Sequence, residues 1–157
     1  MSSVYASRRK ESKWEPVIYS ETVRDTLFDL TQRSFGIKDV KKSFEANKWC
    51  NDFDAYIAIL FDYKRQVNDR TSSLIDNVYS ANAIFPTNLN ELEIRRAYQD
   101  YALVDCSIIE KDLQQVAVKY RPELNSFEPS IKVINREIDL IKRWRQRDNR
   151  LRSRFIS

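Results

Sequence analysis

The chain has 157 residues, 42% of them hydrophobic, with three Trp, eight Tyr and eight Phe, yet one glycine and no histidine. This suits a single folded domain and is too aromatic for disorder. One glycine excludes a fold of many tight hairpins, and the lack of histidine removes Ser-His and Cys-His nucleophile systems and the commonest metal ligand.

Residues 1–13 are small, polar and basic, with Arg8, Arg9, Lys10 and Lys13 against Glu11. They read as a basic arm, flexible or ordered by a partner. Residues 14–141 read as one helical domain. Pro16 suits a first helical turn. Val17, Ser20, Val23, Leu27 and Leu30 then recur every three or four residues toward Gly36, a C′ residue. Residues 37–51 leave two readings open, a short helix or an ordered loop holding Val40, Phe44 and Trp49.

The second long helix carries the clearest stripe: Phe53, Ile57, Leu60, Lys64, Val67, Thr71, Leu74, Val78, Ala81 and Phe85, in alternating steps of four and three. Lys64 and Thr71 interrupt its apolar seam, and Pro86 ends it. Thr87 and Asn88 are cap candidates for a third helix from about Leu89 to Tyr120. That helix has two stripes: Tyr98, Ala102, Asp105, Ile109, Leu113, Val116 and Tyr120, and, offset from it, Ile94, Ala97, Tyr101, Val104 and Ile108. Two apolar faces predict contacts beyond the chain's own core. Pro122 and Pro129 bracket the last connection. The fourth helix bears Ile131, Ile134, Ile138 and Ile141, and the same spacing continues through Trp144, Asp148, Leu151 and Phe155. The fold class is therefore all-α, an antiparallel up-and-down four-helix bundle, with residues 142–157 as a basic helical extension.

Charge is segregated along this frame. The last sixteen residues hold Lys142, Arg143, Arg145, Arg147, Arg150, Arg152 and Arg154 against Asp148 alone, a net of +6 beside +4 for the whole chain. The stretch between the two basic ends is net −5. Such placement speaks about partners, and the leading candidate is a polyphosphate backbone. Complementing a helix dipole explains two or three basic residues near a C-terminus, not seven. Trp144 has two readings, a stacking platform for an unpaired base or, on the Ile141 stripe, a core residue. Arg95 and Arg96 are either phosphate contacts or helix-face ion pairs near Glu91 and Glu93.

Asp52, Asp54, Glu110 and Asp112 sit among surface polar residues without a catalytic motif, so no enzymatic activity, metal or cofactor is expected. Cys50 and Cys106 form no zinc or redox pattern and read as unbridged thiols. The longest apolar run, Tyr56 to Phe61, is too short to span a bilayer, and the N-terminus has no apolar export core. The expectation is a cytoplasmic protein. A structural adaptor whose tail binds an acidic protein, and a membrane-surface helix, are the competing functional classes.

Four stretches together resemble a known family. They are Ser2-Ser3-Val4-Tyr5-Ala6-Ser7-Arg8-Arg9-Lys10-Glu11-Ser12-Lys13, Asn82-Ala83-Ile84-Phe85, Arg95-Arg96-Ala97-Tyr98-Gln99 with Ala102-Leu103, and Ile141-Lys142-Arg143-Trp144-Arg145 with Asp148. In this order they resemble the Avd-like four-helix bundle proteins, accessory variability determinants of diversity-generating retroelements that are similar to ribosomal-RNA intervening-sequence proteins. The resemblance implies a homo-pentameric barrel of bundles with no catalytic site. It implies two kinds of partner: the element's reverse transcriptase, and nucleic acid, RNA first and DNA as a second candidate.

Overall fold

The computed structural model of the protein describes the backbone of residues 2–156 and the side chains of residues 15–156. All regular structure among these residues is helical: α1 (Ser2–Gln32), α2 (Val40–Ala46), α3 (Phe53–Asn82), α4 (Leu89–Tyr120) and α5 (Glu128–Ile156), with single 3-10 turns at Ser34–Gly36 and Leu124–Ser126. The basic arm's side chains, among them Arg8, Arg9 and Lys10, lie outside the described residues. Pro16 lies inside α1 rather than in its first turn.

The four long helices enclose one core. α1 packs on α3 and α5, and α4 packs on α3 and α5. Neighbours run antiparallel. The Tyr63 hydroxyl bonds Gln115 near the start of α3 and the end of α4, while Arg70, farther along α3, pairs with Asp105, earlier in α4. The core is filled by Val23 and Leu27 of α1, Val67 and Leu74 of α3, Ile109 and Val116 of α4, and Ile134 and Ile141 of α5. Burying side chains of this size stabilises by about 1.5–3 kcal/mol each.

Local chemistry sets the boundaries. The Asn88 side chain accepts from the Glu91 N–H at 2.9 Å and starts α4. Tyr120 ends it, with Arg121 in the left-handed region (φ +47°) and Pro122 next. Gly36 has φ +84°, and a Cβ there would stand 2.4 Å from Ser126 Oγ, so the single glycine sits where a side chain has neither the backbone conformation nor the space.

Three stripe positions behave differently from their pattern. Thr71 is fully inside the seam, its hydroxyl donating to the Val67 carbonyl at 2.7 Å. A polar group is tolerated there because it finds its partner on its own helix. Phe85 is exposed, since α3 already ends at Asn82, before Pro86 can act. Ile131 is half-exposed on α5.

Segment 37–52 resolves into α2 plus a loop. The Asp39 carboxylate caps α2 by accepting from the Lys42 N–H at 3.1 Å. This segment closes one end of the bundle. Tyr56 and Tyr120 meet at 4.6 Å between ring centroids, with Phe44 and Trp49 packed on Tyr56. Beneath them the buried Asn47 amide donates to the Ser43 carbonyl, the Tyr56 hydroxyl and the Tyr120 carbonyl, at 2.9, 3.2 and 3.1 Å. The chain's one buried thiol, Cys106, lies in the core, and Cys50 is half-buried; neither is bridged.

Candidate nucleic-acid interface

The opposite end of the bundle gathers the start of α4 and the end of α5. On α5, Ile134, Glu137, Ile141, Trp144 and Asp148 are buried, three or four residues apart, and form the inward face. The basic residues of the tail therefore fall on two flanks and an outer edge.

A buried cluster pins the inward face. Arg95 of α4 reaches Asp148 at 2.7 Å, and the Gln99 amide donates to the other Asp148 oxygen at 2.9 Å. Arg95 also donates to the Ile84 carbonyl at 3.2 Å, and its guanidinium lies 5.0 Å from the centroid of the Trp144 ring. Burial lowers the Arg95 pKa, and Asp148 opposes that shift. Trp144 is only 4% exposed. With Arg95 over its ring and the core behind it, it offers no free face for a base to stack on. Of its two readings, the core one holds. Arg95 likewise spends its side chain inside the chain, paired with an acid 53 residues away rather than with Glu91 or Glu93.

The flank toward α4 is neutralised. Arg145 meets Asp100 at 2.7 Å, and Arg152 meets Glu93 at 2.8 Å. Arg96 donates to the Arg145 carbonyl at 3.2 Å and to the Asn149 side chain.

The flank toward α1 is open. Arg143, Arg147 and Arg150, with Leu140, Gln146 and Glu15, line a groove of about 330 Å³. The three arginines are exposed and have no ion pair among the described residues, while Glu15 pairs with Arg136 at 2.9 Å. Lys142 is exposed beside them; Arg154 is exposed too but engaged within the chain. The seven basic residues of the tail thus divide into an open set (Lys142, Arg143, Arg147, Arg150) and an engaged set (Arg145, Arg152, Arg154).

Several acids escape a sequence reading. Asp105 is buried on the main α4 stripe and accepts from Asn77 at 2.8 Å and Ser73 at 3.0 Å besides pairing with Arg70 at 3.3 Å. Asp112 is buried rather than among surface residues, and burial raises its pKa. Glu137 is fully buried, with both oxygens lacking a hydrogen-bond partner, and burial pushes its carboxyl up to about 9. Its position, three residues after Ile134 and four before Ile141, is the signal that could have revealed it. Asp52 and Asp54 are exposed, with Asp52 capping α3.

On α4, the second stripe faces out: Tyr101 is 58% and Val104 53% exposed, with Ile94 beside them. Among the described residues no group of three or more Cys, Asp or Glu could hold a metal ion, and no helix is long and apolar enough to cross a membrane. Comparisons of the chain with protein-family models, curated proteins and solved structures find no match.

Proposed function

We propose that this chain is a non-catalytic, cytoplasmic, nucleic-acid-binding accessory subunit, an Avd-like partner of a retroelement reverse transcriptase and its template RNA. One observation carries the reading: Arg143, Arg147 and Arg150 stand along one helix flank with no acid of the described chain neutralising them. Cations kept unpaired beside a groove suit a polyanion, and each phosphate neutralised releases counterions. With Trp144 buried, the contact is one of charge and not of base recognition.

The family resemblance adds the specific partner. Three of its four motifs, from Asn82, Arg95 and Ile141 onward, supply the Ile84, Arg95, Gln99, Trp144 and Asp148 groups of one cluster. Motifs that meet in space support being read together. The outward apolar face of α4 supports self-association through Tyr101 and Val104, and the resemblance makes that assembly a pentamer.

The test is a salt titration of RNA binding. Replacing Arg143, Arg147 and Arg150 by Gln should leave the helical circular dichroism intact. It should reduce the log–log salt slope by about 2, at roughly 0.7 per lost phosphate contact on a single strand. An unchanged slope overturns the reading. Binding to the reverse transcriptase that survives nuclease treatment while RNA binding is absent would favour the adaptor class instead.

A further inference from the structure

The two ion pairs between α4 and the tail are in register. Glu93 and Asp100 are seven residues apart, as are their partners Arg152 and Arg145. Seven residues are two helical turns, about 10.5 Å along the axis. The acids therefore present two carboxylates to two arginines along one pair of facing helix flanks.

The pairs differ in kind from the Arg95–Asp148 pair. Arg95 and Asp148 side chains are 15% and 4% exposed, whereas Arg152 and Glu93 are 45% and 44% exposed. Arg145 and Asp100 are 32% and 49% exposed. Exposed pairs are screened and contribute little to stability; a buried one cannot be opened without stranding a charge. Opening the exposed pairs also leaves α5 docked, because Arg96 holds it through the Arg145 backbone carbonyl and Asp148 holds it from the core.

We infer that Glu93 and Asp100 are built-in competitors for the nucleic-acid backbone: they hold Arg145 and Arg152 and keep them out of contact with phosphate. This rests on the nucleic-acid reading above and adds its regulation. The open flank makes first contact. The neutralised flank joins only when its carboxylates lose their charge. Its acids lower affinity without touching the ligand.

The experiment uses the full chain and a fluorescein-labelled oligouridylate, followed by anisotropy across a salt series. E93Q/D100N should bind about fivefold more tightly near ~0.1 M salt, with a log–log slope steeper by about 1.4, two contacts at roughly 0.7 each. Each single substitution should give about half that gain in slope. The control is D69N/D76N, the same charge change at the same seven-residue spacing on α3, which packs on α1 and α4; both acids are exposed and unpaired among the described residues. It should leave the slope at the wild-type value. Adding R145Q and R152Q to E93Q/D100N should erase the gain. Equal slopes for wild type and E93Q/D100N overturn the competitor role alone, and so does an equal gain in the D69N/D76N control. No salt-dependent binding by the wild type overturns the nucleic-acid reading, and the competitor role falls with it.

Discussion

The two ends of the bundle are closed by the same device built from different chemistry. At one end Trp49, Tyr56 and Tyr120 cover a neutral amide, Asn47, that donates to the ends of α2 and α4. At the other, Trp144 lies under Arg95, whose charge is answered by Asp148. Both seals join elements far apart in sequence through a buried polar group next to an indole. The difference lies in the penalty for losing a partner. A stranded neutral group costs its desolvation, while a stranded buried ion costs several times more.

That contrast orders three outcomes. The largest is at the charged end. Asp148→Ala leaves Arg95 buried without its counter-charge and should cost about 3–5 kcal/mol, read as a shift in the urea midpoint. The double change Arg95→Met with Asp148→Leu should cost clearly less than Asp148→Ala alone. Equal costs would mean that the ion pair is not what seals this end.

Next comes a charge with no seal at all. Glu137 sits in the core between the two ends, and burial alone sets its carboxyl near 9. A folded-state pKa above the unfolded one means that protons favour the native state. The contribution is fully present below the unfolded value of about 4.3 and is lost as pH rises through about 9, at roughly 1.4 kcal/mol per pH unit. At pH 7 the deficit is about 4 kcal/mol. Glu137→Gln should therefore raise Tm at pH 7 and above, with the gain shrinking toward pH 4. A Tm difference independent of pH would refute the assignment.

The smallest effect belongs to the neutral end. Asn47→Ala removes the amide shared by Ser43, Tyr56 and Tyr120 and should cost about 1–3 kcal/mol. Hydrogen exchange should show the loosening in α2 and the end of α4, and leave the Arg95 cluster protected. A cost matching that of Asp148→Ala would erase the distinction between the ends.

Much of the frame was legible from residue pattern. Asn88 and Pro122 bound α4 because caps and proline act within a turn of their own position. The heptad-like run predicted the buried face of α3 from Leu60 to Ala81. What pattern missed depends on registers between helices. Arg95 meets Asp148, and Arg145 meets Asp100, only when α4 and α5 are aligned; no local rule gives that alignment. The tail therefore read as seven equivalent cations, whereas the fold splits them into open and engaged sets. Thr71 and Glu137 mark the opposite limit. Thr71 lies on the predicted stripe and Glu137 beside it, and the fold buries both, although Thr71 finds the Val67 carbonyl while Glu137 finds nothing. The segment at 40–46 was ambiguous because α2 is short and buries no residue fully.

The antiparallel course of the bundle has a practical consequence for attaching probes. α1 begins at the end of the bundle where α5 finishes, which is also where the open arginines stand. A purification tag, dye or fused domain at either chain end would hang over the surface it is meant to report on. The turn at Leu124–Ser126 lies at the far end, and Leu124 is 73% exposed. A small epitope or a fluorophore there would leave the basic groove uncovered.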